Sequence, residues 1–188
     1  MPPTDPAPAP VRLLLVSGST RHGSTNGAAL RAALELLPPG AEAALHEDLA
    51  ALPAFNPDDD HDPLPPAVVG LRAAIARADA VVFCTPEYAG TLPGAFKNLL
   101  DWTVGGAEMY GRPATWINVA APGRGAGADA TLRTVLGYVG AALLEDSGRR
   151  IPVPRDALDA DGALTAAEVR AELAAALADI VNELRAAG

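Results

Sequence analysis

The sequence predicts a doubly wound α/β domain, a five-stranded parallel sheet with helices on both faces, on three observations. Short apolar runs alternate with segments of helical spacing along the chain. The first run, "VRLLLV", is unbroken rather than alternating, as a strand covered on both faces must be. Each run is followed by a helical segment, the crossover that parallel strands require, and such crossovers are right-handed.

The elements follow in order. Strands are expected at 11–17, 41–46, 80–85, 114–120 and 149–153. Helices are expected at 25–37, where "GAALRAALELL" carries the period, then at 66–78, 94–103 and 127–143. A last helix runs from Thr165, which stands at capping-box spacing from Glu168. The proline- and aspartate-rich stretch "LPAFNPDDDHDPLPP" reads as an exposed loop. Residues 1–10, "MPPTDPAPAP", read as a flexible tail and 11–188 as one domain, a fair size for a single core.

Composition removes several function classes. A formal net charge of -9 argues against a general nucleic-acid or anionic-membrane surface, which needs clustered cations; Lys97 is the only lysine. The single cysteine, Cys84, forms no internal disulfide and no thiolate cage, which fits a reducing compartment; the cytoplasm is the expected address. The amino end lacks a signal-peptide pattern, and no apolar run reaches membrane-spanning length, so no membrane partner is expected. His46 and His61 lack ligand spacing, and no metal is predicted. Cys84 ends an apolar strand with no histidine paired to it in sequence and reads as core rather than nucleophile. Asp101 reads as a helix-end or interface residue.

In doubly wound sheets, ligands bind beyond the carboxyl ends of the strands where the strand order reverses. The loops to inspect are therefore 18–26, 86–93 and 121–127. The first, "GSTRHGSTN", joins a buried strand to a helix start, and unpaired amides there together with the helix dipole make an anion site. Gly18, Gly23, Ser24 and Thr25 fit the spacing of a nucleotide P-loop, but Ser24 stands where its lysine must be, which argues against NTP hydrolysis. The dinucleotide fingerprint of three spaced glycines is absent as well. A single phosphate fits better: Arg21 offers charge-assisted bonds, while Ser19, Ser24, Thr25 and Asn26 add hydroxyl and amide donors, and His22 lies in the same loop. The plainer alternative is a turn in which Ser24 or Thr25 caps the helix, an arrangement that leaves Arg21 unexplained.

The second loop, "TPEYAGTLPGAFKNLLDW", pairs a stiff exit at Pro86 with the flat ring of Tyr88 and the open backbone of Gly90 and Gly94. It resembles the P-E-Y-N-x-x-x-P-G-x-x-K-N-x-x-D-W signature of the NAD(P)H-dependent FMN reductases, and "GSTRHGSTN" resembles their G-S-x-R-x-x-S-x-N loop. The two motifs cover about thirty residues, and the order of units extends the likeness over most of the chain.

The resemblance implies a flavodoxin-like fold. It implies that Ser19, Arg21, Ser24 and Asn26, with Thr25, hold the FMN phosphate, and that Pro86, Glu87, Tyr88, Ala89 and Gly90 run along the flavin. Ala89 stands where the family has asparagine, so a side-chain amide contact is missing there. The looser third loop, "AAPGRGAGADATLRTVL", implies Ala121, Pro122 and Gly123 near the ring, with Arg124 either meeting the phosphate of the incoming nicotinamide cofactor or merely solvated.

The implied activity is hydride transfer from NADPH or NADH to flavin N5 and on to a flavin, quinone or similar small acceptor. No side chain need act as nucleophile, so no catalytic residue is assigned. Family members pair across helices beside the flavin, which implies a homodimer or homotetramer, and "DWTVGGAEMYGRP" offers Trp102, Met109 and Tyr110 for that contact; the alternative is that these residues complete the monomer's own core. The rival function is an FMN electron carrier serving a protein partner, against which the arginine of the first loop and the P-E-Y stretch both stand.

Overall fold

The computed structural model describes residues 9–144 and 148–187. Its elements are β1 (Val11–Ser17), α1 (Thr25–Glu35), β2 (Ala41–His46), α2 (Pro66–Arg77), β3 (Ala80–Cys84), α3 (Gly94–Asp101), β4 (Pro113–Asn118), α4 (Ala126–Tyr138), β5 (Ala142–Leu143), β6 (Arg149–Arg150) and α5 (Ala167–Ala187). Among the described residues these strands pair in parallel, in the order β2-β1-β3-β4-β5, with β6 also on β4. After β2 the chain returns past β1 to build the other half of the sheet, so the order reverses between β1 and β3.

Strand alternation divides the core in two. Leu14, Val16, Val81, Phe83, Ala114 and Trp116 face α2, α3 and α4, while Leu13, Leu15, Val82, Cys84 and Ile117 face α1 and α5. Covered on both faces, β3 is buried at every position, and β2, at the sheet's edge, is not. Among the described residues no helix is long and apolar enough to cross a membrane.

The strands and helices expected up to β4 are found to within two residues at each end; beyond it the structure corrects the reading. The helix expected over 127–143 stops at Tyr138, because Gly140 adopts a φ of 74° and the Ala141 amide turns back to Leu136 O at 3.0 Å. The chain then enters the sheet at once as β5, so the fifth position is filled by two short pieces rather than by 149–153 alone. Ile151 and Val153 extend the second piece, donating to Asn118 O and Val119 O, and Pro154, with no N–H, ends the ladder. Thr165 does not cap α5; its hydroxyl donates to Ala157 O at 3.4 Å and the helix begins at Ala167. The expected exposed loop after β2 is exposed over most of its length and is pinned at two points. Asp60 and Arg72 pair at 2.6 Å with side chains only 10% and 11% accessible, and the Phe55 amide donates to Asn98 Oδ1. Residues 1–8 of the expected tail lie outside the described residues.

His46 closes β2 with its Nε2 buried and without a hydrogen-bond partner. Burial pushes its pKa below the ordinary 6.5, against a smaller upward pull from Asp48. A depressed pKa favours the neutral ring, so this stabilisation is complete above the unfolded value and is lost as pH falls below it. Thermal stability is expected to drop on going from about pH 7 to about pH 5, and His46→Leu to flatten that drop. Parallel melting curves for the two proteins would contradict it.

Candidate active site

The loops after β1, β3 and β4 meet at the carboxyl edge of the sheet, on either side of the β1/β3 reversal. Between them, Thr25, Asn26, Thr85, Pro86, Glu87, Ala121 and Arg124 line part of a cleft of ≈ 570 Å³. A hollow of ≈ 620 Å³ at the opposite edge, by Pro10, Asp79 and Pro113, is larger. Volume does not locate the site; the convergence of loop amides and polar side chains at the reversal does.

The first loop is folded by its own hydroxyls. Ser17 Oγ accepts from the Ser19 amide at 3.4 Å and Ser19 Oγ from the Arg21 amide at 3.3 Å. Gly18 is required where the loop leaves the sheet, since a Cβ there would stand 2.9 Å from Thr85 Cα. Ser24 is the N-cap of α1, its Oγ accepting from the Gly27 amide at 3.0 Å. The plainer alternative for Ser24 is therefore observed, and its hydroxyl proton is still free to donate. Asn26 is buried and receives the Cys84 thiol on Oδ1 at 3.3 Å, which turns its NH₂ end to the cleft. Cys84 is fully buried, and burial pushes its thiol pKa far up, so it is core and not nucleophile. Arg21 and His22 are exposed beside a second hollow, and Arg21 forms no ion pair among the described residues.

Two helices present their amino ends at this edge, and they differ in charge. The first turn of α1 contains no acid. The first turn of α4 contains Asp129, and its Gly127 and Ala128 amides donate to Glu87 Oε2 at 2.7 and 3.1 Å. Glu87 thus occupies the positive end of α4, while at α1 the acid beside Gly27 is Glu47, which is paired with Arg31 at 2.6 Å. Glu87, expected along the ligand, lines the cleft and gives its Oε2 to α4.

The rest of the second loop is a tight turn. Tyr88 and Thr91 exchange both backbone hydrogen bonds at 3.0 Å, and between them Ala89 and Gly90 have φ of 51° and 76°. Left-handed backbone at both central residues is the arrangement for which Asn-Gly is favoured, and Ala89 holds it at a cost. Ala89→Asn is expected to raise apo-protein stability by about 0.5–1 kcal/mol by relieving that strain; an unchanged thermal midpoint would contradict it. The Tyr88 ring is 54% exposed. Among the described residues the amides of Ala89, Gly90 and Gly123 donate to no protein acceptor, and a Cβ at Gly90 or Gly123 would meet open space. A phosphate-bearing planar ligand fits: anion donors at α1, then bare backbone and an open ring beyond. Among the described residues no group of acidic, histidine or cysteine side chains could hold a metal.

A family model described as NADPH-dependent FMN reductase matches residues 11–148. The chain belongs to this family. An NAD(P)H-dependent FMN reductase of Pseudomonas aeruginosa is 37% identical over 157 residues, covering 82% of this chain and 84% of its own. A 2-hydroxy-1,4-benzoquinone reductase of a Burkholderia species is 30% identical over 164 residues, covering 85% and 88%. The solved structure of FerB, a flavoenzyme NAD(P)H:(acceptor) oxidoreductase from Paracoccus denitrificans, superposes with a TM-score of 0.78 at 28% identity, over 93% of this chain and 97% of its own. The chain is thus an oxidoreductase of flavodoxin-like fold whose cofactors are FMN and NAD(P)H.

Within this FMN reductase fold, the three expected loops are brought together. Five cleft residues, Thr85, Val119, Ala120, Gly125 and Arg155, are not singled out by the sequence reading. Gly125 lies within the third loop, Thr85, Val119 and Ala120 border the loops inspected, and Arg155 follows the last strand, beyond a loop set confined to strands 1, 3 and 4. The expected interface set is corrected: Trp102 and Met109 are 0% and 1% accessible and complete the monomer's core, Trp102 packing edge-on to Phe55 and donating to Pro53 O. Only Tyr110 of the three is exposed. Asp101 ends α3 and pairs with Lys97.

Proposed function

We propose that this chain binds the FMN phosphate at the amino end of α1 through Ser19, Arg21, Ser24, Thr25 and Asn26. In this reading the flavin ring lies against Pro86, Tyr88, Ala89, Gly90 and the Ala121–Pro122–Gly123 turn, and electrons pass from NAD(P)H to a quinone, flavin or similar small acceptor. The carrying observation is the contrast between two neighbouring helix ends: the first amides of α4 are taken by Glu87, whereas α1 has no acid in its own first turn, the neighbouring Glu47 is paired with Arg31, and Arg21 forms no ion pair among the described residues. Bound here, FMN would supply the redox chemistry between nicotinamide and acceptor. The chain's residues orient and stabilise. Arg21 neutralises the phosphate, and the unpaired amides of Ala89, Gly90 and Gly123 face the developing negative charge of the reduced ring. Arg124 and Arg155, exposed on the cleft, take the phosphates of the donor.

Quinones are the favoured acceptors because relatives such as the Burkholderia enzyme are quinone reductases. A ring held by these loops on one side would leave one face for both partners, which would use it in turn. The exposed Tyr110 and Tyr138, at 80% and 89%, support pairing of two copies, and the lone buried thiol supports a cytoplasmic setting. Steady consumption of NADPH by the FMN-loaded chain with a free benzoquinone supports the enzyme; turnover only with a protein partner would make the chain an electron carrier. Light scattering at micromolar concentration should give twice the chain mass.

A further inference from the structure

Three contacts tie the second loop to α4, and none involves a ligand. Glu87 Oε2 accepts from Gly127 and Ala128, Thr91 Oγ1 lies 2.9 Å from Thr131 Oγ1, and the Gly90 carbonyl sits so close to Gly127 that a Cβ there would stand 2.0 Å from its oxygen. Thr131 is in turn fixed by donating to Gly127 O at 2.8 Å. The strained turn at Ala89–Gly90 is thus held at both ends by one helix, and Glu87 is the charged member of the strap.

We propose that Glu87 is a positioning residue: by clamping the turn 88–91 to the first turn of α4, its carboxylate fixes the backbone that receives the flavin ring. The contacts favour this over direct flavin binding by that oxygen, because both amides taken by Oε2 belong to the first turn of α4. A charge-assisted pair of bonds is the strongest tether available to a loop otherwise held by a hydroxyl contact and its own turn. The ring-binding role rests on the proposed function above; the clamp itself does not.

The test compares Glu87→Gln, whose amide oxygen can still accept from both N–H groups, with Glu87→Ala, which leaves them unpaired. In the apo chain, amide exchange at Tyr88 and Thr91 should speed by about tenfold or more in the alanine variant and stay near the wild-type rate in the glutamine one. In the flavin-loaded chain, Glu87→Ala should weaken FMN and riboflavin by the same factor, about tenfold, since the turn meets the ring and not the phosphate, with Glu87→Gln restoring both. Wild-type exchange rates in Glu87→Ala would overturn the clamp. Faster exchange with unchanged affinity for both flavins would overturn the positioning role. If the wild-type chain binds no flavin, the proposed function fails, and the exchange data alone decide the clamp.

Discussion

Gly127→Ala is expected to cost the fold about 1–3 kcal/mol and to weaken flavin binding with it, although alanine is the better helix former. Gly127 lies in the first turn of α4, where a Cβ would approach Gly90 O to 2.0 Å and Gly90 C to 2.7 Å. Neither atom can swing aside as a side-chain end would, so the helix or the turn must move. Gly70, inside α2, has nothing within 4 Å of its Cβ position, and Gly70→Ala should instead stabilise by about 1 kcal/mol. Chemical denaturation of both variants reads the opposite signs. Stabilisation by Gly127→Ala would mean that the second loop and α4 are not in backbone contact.

Arg21→Ala is expected to weaken FMN by about 1.5–3 kcal/mol, roughly tenfold to 150-fold in Kd, the scale of a hydrogen bond to a charged group. Arg21 forms no ion pair within the described protein, so its removal leaves no buried partner behind and little change in stability should accompany the loss. Riboflavin has no phosphate and should bind the variant and the wild type alike. Equal losses for the two flavins would move the phosphate away from α1.

The legible part of this fold is the part written in short-range chemistry. The unbroken run of β1 and the loop that follows it announce a buried strand and an anion site because few other uses combine those residues. The end of α4 was legible too, in Gly140, but the apolar residues beyond it keep a helical period and hide β5. Trp102 and Met109 show why interface and core are not told apart by residue type: both are apolar and near the site, and only tertiary packing buries them.

Glu87 and Ala89 mark the limit inside the site. A motif gives Glu87 its place but not its direction, which depends on α4 arriving forty residues later. At Ala89 the missing amide is visible in the sequence, whereas the left-handed φ that explains a preference for asparagine is not. Asp129, which holds Trp116 Nε1 at 3.0 Å and Asn118 Nδ2 at 2.8 Å beneath the third loop, carries no sequence signal, because its partners are set by the packing of α4 on β4.

The central claim, that donor and acceptor use one open flavin face in turn, is tested most directly by anaerobic reduction. The chain is loaded with one FMN per copy, mixed with NADPH alone, and then given a benzoquinone. The visible flavin band is expected to bleach before any quinone is added and to return with it, and steady-state double-reciprocal lines should be parallel. Bleaching that requires the quinone to be present, or intersecting lines at that fixed flavin ratio, would show both partners bound at once and contradict the shared face.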